Sequence, residues 1–279
     1  MKIININKKN LTNNPEVESK FISVHKHDIN LKCNILTENF YLDSYNFFPI
    51  TEENNSFLDI FAWGDLLKYN IFFEKKFYKN FKNNQKTFKI FSNIYILGSN
   101  NFDNYYSNLF NFLPRIFFIK DKKVKLGIHR NSSLKFRNFI KILCDQMKID
   151  LQYVFLDDGF YKFNNSQIPE FINKIDSIKI LNSLKHKSSN HKEKIYIIRR
   201  NEKFRNIVNE TDIINKLKKL NFKIIDLNQL EIIEQIKIFS EANCVISASG
   251  SGLANIVFCK PKTKIIEISP KFKYEYEEH

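Results

Sequence analysis

The feature that most constrains the fold is a regular alternation of short apolar runs and amphipathic segments over residues 195–269. The apolar runs, at 195–200, 223–227, 244–249 and 264–269, have the length of strands, and the segments between them repeat apolar residues at helical spacing. Successive strands that are separated by helices pair in parallel, because the helix returns the chain to the same end of the sheet. The pattern therefore predicts a β-α-β-α-β-α-β series that forms one parallel sheet.

A second, looser α/β series precedes this one. Its predicted elements are a strand at 93–98, a helix at 102–113, a strand at 125–129, a helix at 134–147 and a strand at 152–157. Two α/β units in tandem predict two Rossmann-like lobes whose parallel sheets face a cleft.

The domain boundary is predicted near the polar stretch 186–194, which follows a helical pattern. We expect an N-terminal lobe at 1–187, in which 1–90 is strand-rich and irregular and 91–187 is α/β. The C-terminal lobe is expected at 188–279. The sequence ends soon after the last predicted strand, which leaves open that this lobe is truncated.

Net charge and the cysteines indicate the class of partner and the cellular compartment, but they identify no particular partner. The 44 Lys and Arg against 30 Asp and Glu give a formal charge of +14, which favours anionic partners. The four cysteines share no C-x-x-C spacing and lie in apolar surroundings, so we expect buried free thiols and a reducing compartment. No apolar run of about 20 residues and no signal-peptide h-region are present. We expect a cytoplasmic protein and leave open peripheral contact with the anionic inner face of a membrane.

A glycine pair stands out in VISASGSGLANIVF, between a strand pattern and a short apolar helix pattern. Gly250 and Gly252 permit positive φ and the close approach of another group. Unpaired N–H groups at the start of the following helix suit an anion. A dinucleotide fingerprint would require glycine where Asn255 stands, so that alternative fails.

Three features converge on the predicted carboxyl edge of the second lobe, where ligands of parallel sheets bind. Arg199, Arg200 and Arg205 follow the first strand, the 249–252 loop follows the third, and Glu267 lies in the fourth. Arginines and backbone N–H groups bind phosphate, and a glutamate accepts from sugar hydroxyls. Each feature alone is better explained without a ligand, as a solvated strand end, a surface residue or a tight turn, but together they predict a nucleotide-diphosphate site.

The same segments resemble glycosyltransferase family 61. The family pattern of two arginines, Asn-Glu, Glu-Gln, a G-x-G-L-x-N loop and a final Glu is matched in order, and NYYSNLFNFLPRI (104–116) is similar to the family's Tyr-His-x-x-x-(Glu/Asp)-x-Leu-Pro-Arg segment. The resemblance covers roughly residues 90 to 270. The matching positions are Arg199 or Arg200, Arg205, Asn209, Glu210, Glu234, Gln235, Gly250, Gly252, Leu253, Asn255 and Glu267.

The resemblance implies a GT-B glycosyltransferase that moves a sugar from a nucleotide-sugar to a glycan, polysaccharide or lipid-linked glycan acceptor, with inversion. No cofactor and no metal is required by that scheme. Tyr106 and Arg115 would lie on the acceptor side. The donor would contact Arg199, Arg200, Arg205, Asn209, Glu210, Gly250, Ser251, Gly252, Leu253, Asn255 and Glu267.

The positions expected to carry acid/base chemistry depart from the family pattern. Ser249 replaces a usual histidine, and Ser107 and Asn111 replace a histidine and an acid. Serine and asparagine do not act as bases at neutral pH. The base is then unassigned, with three aspartates as candidates: Asp103, Asp157 and Asp158.

Two other functions compete with the enzyme. The first is a catalytically degenerate nucleotide- or carbohydrate-binding protein of the same fold. The second, a nucleic-acid-binding protein, rests on net charge and on Phe/Lys-rich stretches such as 72–84, which an amphipathic helix explains equally well. We therefore expect no nucleic-acid partner.

Overall fold

The computed structural model describes residues 2–3, 21–26, 31–45, 47–52, 55–56, 81–99, 103–186, 191–199 and 206–269. The chain divides into two compact units, Met1–Ile180 and Leu181–His279, called here the first and second unit. Both contain parallel strands connected by helices, so the predicted α/β class is confirmed.

The described strands of the first unit form several small sheets. The strand orders are β1-β6, β12-β3-β2, β5-β4-β11-β7 and β10-β9-β8. These strands are β1 (Lys2–Ile3), β2 (Phe21–Lys26), β3 (Leu31–Leu36), β4 (Phe40–Asp43), β5 (Phe48–Thr51), β6 (Asn55–Ser56), β7 (Lys89–Ser92), β8 (Ile94–Ile96), β9 (Lys123–His129), β10 (Asp150–Leu156), β11 (Phe160–Asn164) and β12 (Ile168–Pro169).

The parallel sheet β10-β9-β8 is the part of the first unit that positions functional side chains. Helix α2 (Leu134–Gln146) connects β9 to β10 and begins at Ser133, whose hydroxyl oxygen accepts a hydrogen bond from the Phe136 N–H at 3.3 Å. The helix ends where Lys148 adopts a left-handed φ of 59°. Its buried face follows the predicted helical spacing and comprises Phe136, Phe139, Ile140, Leu143 and Cys144.

The predicted helix at 102–113 is a composite segment over its described part. An α-helical turn, α1 (Tyr105–Ser107), continues into a π-helical segment, Asn108–Phe112, and then into a 3₁₀ helix, Leu113–Phe118. Pro114 explains the change, because proline has no N–H to donate and its ring clashes with the carbonyl group four residues earlier. The backbone therefore widens before Pro114 and tightens after it.

Aromatic side chains dominate the core beside the sheet β5-β4-β11-β7. The Phe163 ring is fully buried and stacks on Phe40 and Phe91 at centroid distances of 5.5 and 5.6 Å. Phe81 and Phe160 make an edge-to-face pair in the same cluster, at 5.5 Å. The strand-rich N-terminal segment is thus held by burial of large rings.

The second unit contains the parallel sheet that the sequence predicts, with strand order β14-β13-β15-β16. Tyr196, Ile214 and Leu217 form its buried centre between sheet and helix. The last crossover is a 3₁₀ helix, Ser251–Phe258. The other elements are α3 (Lys174–Asn182), which leads into this unit, β13 (Glu193–Ile197), α4 (Glu210–Lys219), β14 (Lys223–Ile225), the 3₁₀ turn Leu227–Gln229, α5 (Ile232–Glu241), β15 (Ala242–Ala248) and β16 (Lys264–Ile268).

The cysteines are free thiols, as predicted. Cys33, Cys144 and Cys259 are buried and Cys244 is half-buried. Burial raises the pKa of Cys259 to about 11, which keeps this thiol protonated at neutral pH. In the part of the chain that the structure describes, no helix has both the length and the apolar character needed to cross a membrane.

Replacing Phe163 with alanine tests the aromatic core. Because the ring is fully buried and stacked on both sides, we expect Phe163→Ala to lower the free energy of unfolding by about 3–5 kcal/mol. Ile90→Ala on the neighbouring strand is the control, since Ile90 is 59% exposed and should cost less than about 1 kcal/mol. Urea unfolding measures both, and equal losses would contradict this account of the core.

Candidate functional site

The carboxyl ends of the second unit's strands gather the predicted donor residues at one edge. Parallel pairing aligns Ile197 of β13 with Ser247 of β15, and Ser247 with Glu267 of β16. Arg199 follows β13 and the glycine loop follows β15, so both leave the sheet on the same side. Arg200 and Arg205 lie outside the described residues.

The Arg199 guanidinium lies directly against the backbone of the glycine loop. Its Nη1 donates to the Ser249 carbonyl oxygen at 3.2 Å. A Cβ added to Gly250 would be only 1.6 Å from that Nη1, so a side chain there is incompatible with the arginine position. The φ of Gly250 is 167°, which is extended backbone that any residue adopts. Close approach of the arginine, and not left-handed backbone, is therefore what favours glycine at this position.

The loop also presents backbone donors. The Leu253 N–H bonds to the Gly250 carbonyl at 3.0 Å, which makes it the first N–H of the turn to be satisfied. Within the described parts of the chain, the N–H groups of Gly250, Ser251 and Gly252 have no protein acceptor. Ser251 is exposed. Three N–H donors beside a guanidinium favour binding of an anion.

A buried amide pair supports the loop from below. The Asn255 side chain is fully buried and donates to the Gln235 Oε1 at 2.9 Å and to the Gly252 carbonyl at 3.1 Å. Gln235 in turn donates to the carbonyl groups of Leu227 and Leu230, each at 3.1 Å. Asn255 thus supports the loop from inside the unit.

The Glu210 carboxylate holds the backbone of Arg199 in place. Its Oε1 accepts from the Tyr196 hydroxyl at 3.0 Å and from the Arg199 backbone N–H at 3.3 Å. Burial and then the Glu210 carboxylate raise the pKa of Tyr196, so the hydroxyl remains a donor. Asn209, at the N-cap of α4, is exposed and its side chain makes no capping hydrogen bond.

The serine that replaces the family's usual histidine is also engaged. The Ser249 hydroxyl donates to the Glu267 carboxylate and lies 3.2 Å from the Ser269 hydroxyl. Glu267 is exposed at the edge strand β16. These contacts join the ends of β15 and β16 at the rim of the loop.

The first unit has a second polar edge, at the carboxyl ends of β9 and β10. His129 is the last residue of β9, and its Nε2 lies 3.0 Å from the Asp158 Oδ1. The Asn131 backbone N–H donates to the His129 Nδ1 at 3.1 Å, and the His129 N–H donates to the Ser99 hydroxyl at 2.8 Å. The imidazole is therefore held on both of its nitrogens.

Asp157, beside Asp158, forms a different pair. Its two carboxylate oxygens accept from the Arg130 Nε at 2.6 Å and Nη2 at 3.3 Å. The Arg130 guanidinium holds the pKa of Asp157 below its ordinary value. Both carboxylate oxygens of Asp157 are thus engaged by this one cation.

Asp103 connects the loop after β8 to the start of α2. Its Oδ1 accepts from the Ser133 N–H at 2.9 Å and from the Asn108 side-chain amide at 3.1 Å. Burial raises the pKa of Asp103, although these donors oppose the change. Two donors on one oxygen give this carboxylate a role in shaping the edge.

The upstream motif contributes one accessible ring. Tyr106 is 36% exposed and stacks on Phe110 at 4.8 Å. Ser107 is buried and Asn111 is half-buried. In contrast with the predicted acceptor-side role, the Arg115 side chain is fully buried.

Arg115 connects elements within the first unit. It donates to the carbonyl groups of Leu97, at 2.7 Å, and of Pro169. Its guanidinium carbon lies 4.3 Å from the centre of the Phe171 ring. Burial lowers its pKa to about 10, yet the guanidinium remains charged at neutral pH. Its place in the interior gives Arg115 a structural role.

His129 is the residue that the sequence reasoning missed. The available signal was a histidine at the last position of a predicted parallel strand, since that position falls at the ligand-binding edge, next to the Asp-Asp that ends the following strand. In the described ranges, no group of three or more His, Cys, Asp and Glu side chains could hold a metal ion.

Comparison with protein families identifies one relationship. The family model described as Glycosyltransferase 61 matches residues 105–266, which include both polar edges. No curated protein matches the chain.

Removing the Asn255 amide tests the support beneath the loop. We expect Asn255→Ala to lower the free energy of unfolding by about 1–3 kcal/mol, because the Gln235 Oε1 then loses its buried donor. Ser251→Ala is the exposed control and should have almost no effect. A double-mutant cycle with Gln235→Ala measures the coupling, and strictly additive losses would rule out the pairing as the cause.

Proposed function

The chain belongs to glycosyltransferase family 61, and we propose that it transfers a sugar from a nucleotide-sugar to a hydroxyl group of a glycan acceptor, with inversion. The observation that carries the donor half of this proposal is the Arg199 guanidinium held against the backbone of Gly250, next to three N–H donors. This set of positive and donor groups is matched to a diphosphate.

The leaving group explains why such an edge assists transfer. As the anomeric bond breaks, negative charge develops on the diphosphate, and preorganised donors that face this charge lower the barrier. Arg199 and the N–H groups of Gly250, Ser251 and Gly252 provide these donors. By resemblance, Arg200 and Arg205 add two more cationic side chains. Glu267 is proposed as the acceptor for a hydroxyl of the donor.

The first unit is proposed to bind the acceptor. The exposed face of Tyr106, stacked on Phe110 and with the Lys174 Nζ at 5.9 Å from its ring centre, is a surface on which a sugar ring can pack. The two units, each with its own parallel sheet, are proposed as the two lobes of a GT-B enzyme.

The proposed cellular location rests on the composition and the free thiols. The free thiols and the charge of +14 support a cytoplasmic enzyme that acts on glycan, polysaccharide or lipid-linked acceptors, with peripheral contact to an anionic membrane as a further proposal. The proposed reaction uses neither a cofactor nor a nucleic-acid partner.

A transfer assay tests the function. The chain is incubated with a panel of nucleotide-sugars and a mixed pool of glycan acceptors, and products are followed by mass spectrometry. We expect one donor to give an acceptor that is heavier by one sugar, with release of an equal amount of nucleoside diphosphate. Donor binding without any product across the panel would contradict the proposal and favour a binding protein.

Replacing Arg199 tests the donor site. We expect Arg199→Ala to weaken nucleoside-diphosphate binding by about 1.5–3 kcal/mol, the value of a hydrogen bond to a charged group. Lys264→Ala is the control, because Lys264 is exposed at the opposite end of β16. Calorimetric titration measures both. Equal affinity of Arg199→Ala and wild type would exclude Arg199 from the site.

Adding one methyl group at Gly250 tests the loop geometry. The new Cβ must displace the Arg199 Nη1, which is the mobile end of a long side chain, so Gly250→Ala should change stability by less than about 1 kcal/mol. Nucleoside-diphosphate affinity should nevertheless fall, and the fall should largely disappear in an Arg199→Ala background. A full loss of affinity in that background would show that the methyl group acts on the ligand and not through the arginine.

A further inference from the structure

The carboxyl edge of the first unit's sheet contains a histidine–carboxylate pair that lies outside the motif segments used for the family resemblance. We infer that Asp158 is the general base of the transfer reaction and that His129 is the residue that positions it. This inference rests on the proposed function, because it assigns the proton-accepting step of that same reaction.

The hydrogen bonds around His129 determine which way its proton points. The Asn131 N–H donates to Nδ1, so Nδ1 has its lone pair in use and the proton of the neutral ring lies on Nε2. Nε2 then donates to the Asp158 Oδ1, 3.0 Å away. With both nitrogens engaged, His129 has no free lone pair for a substrate proton, and its effect is to orient the carboxylate.

Burial separates the two members of the pair. The His129 side chain is 2% exposed, and the Asp158 side chain is 55% exposed. The His129 backbone N–H is bonded to the Ser99 hydroxyl, and the ring packs edge-to-face with Phe47 at a centroid distance of 6.5 Å. A rigid buried donor thus holds one oxygen of a carboxylate whose side chain reaches solvent, where an acceptor hydroxyl can approach.

The other two candidate carboxylates are occupied differently. Asp157 has a cation, Arg130, on both of its oxygens. Asp103 receives two N–H donors on a single oxygen, from Ser133 and Asn108. Asp158 has the His129 Nε2 at one oxygen, and its side chain is 55% exposed. Among the three, its surroundings fit a proton acceptor best.

The proton and electron balance of the step is simple. The acceptor hydroxyl gives its proton to the Asp158 carboxylate while its oxygen forms a bond to the anomeric carbon. The bond from that carbon to the diphosphate oxygen breaks, and the diphosphate leaves with the electron pair. Asp158 later returns its proton to solvent. No group at Ser107, Asn111 or Ser249 has to accept a proton.

Three variants of the full chain test the assignment in the transfer assay. Asp158→Asn should lower kcat by about 10²–10⁴-fold, the usual contribution of a general base, with donor affinity unchanged. Asp158→Gly should respond to added formate, a small carboxylate that can replace the missing group, with a rise in kcat. Asp150→Asn, at the exposed amino end of the strand β10 that leads to Asp158, should leave kcat unchanged.

Two substitutions of His129 separate positioning from folding. His129→Gln retains an N–H donor near the place of Nε2 and should keep kcat within about tenfold of wild type, whereas His129→Leu should lose about 100-fold in kcat with little change in KM. Formate should not restore His129→Leu, because its carboxylate is still present. Thermal unfolding of both variants shows whether a loss of activity comes from a loss of folded protein.

The outcomes distinguish this assignment from the proposed function. Absence of transfer by wild type would overturn both. Transfer by wild type together with an undiminished Asp158→Asn, or with a larger loss in Asp157→Asn or Asp103→Asn, would overturn the base assignment and leave the function standing. Equal kcat for His129→Leu and wild type would remove the positioning role.

Discussion

Parallel pairing of backbone strands is the constraint on which both polar edges depend. The hydrogen-bonded register of β13, β15 and β16 brings the end of each strand to the same side of the second unit, and β8, β9 and β10 do so in the first. In such a sheet the helical crossovers return the chain to the amino edge, which leaves the carboxyl edge to loops. Residues far apart in sequence, such as Arg199 and Gly250, meet for this reason.

The loop of the second unit shows how packing and chemistry share one set of residues. Glycine is favoured at 250 because the end of the Arg199 side chain occupies the space of a Cβ, and at 252 because the Leu227 Cδ1 lies 2.9 Å from an ideal Cβ position. Beneath them, Asn255 and Gln235 satisfy each other's buried polar atoms. These contacts fix the loop, and the N–H groups of residues 250–252 have no acceptor within the part of the chain that the structure describes.

Periodicity predicted the helices and strands of residues 195–269 because each segment repeats its own hydrophobic pattern over several residues. It did not predict the π and 3₁₀ segments around Pro114, which depend on one missing hydrogen-bond donor. Nor did it predict the extended backbone at Gly250. A glycine in the sequence is explained equally well by a positive φ and by the close approach of another group. Spacing alone does not separate these two causes.

The site residues likewise fall into those that the sequence could predict and those that it could not. Arg199, Gly250 and Glu267 could be assembled from sequence because strand order in a parallel sheet determines which ends meet. The burial of individual motif residues could not be predicted from the sequence. Asn255 and Arg115 belong to the family motifs, yet both side chains lie inside their units. His129 was missed because its role depends on two contacts that the sequence does not show, with Asp158 in the loop after β10 and with the Asn131 N–H.

Amide hydrogen exchange with and without the donor measures the central claim most directly, because the account places the donor diphosphate on named N–H groups. The nucleotide-sugar that supports transfer is added at saturating concentration, and exchange is followed by mass spectrometry with fragmentation. The account predicts that Gly250, Ser251 and Gly252 exchange more slowly when the donor is bound, while the amino end of β16 does not change. Unchanged exchange at these three residues, with the donor shown to be bound, would contradict it.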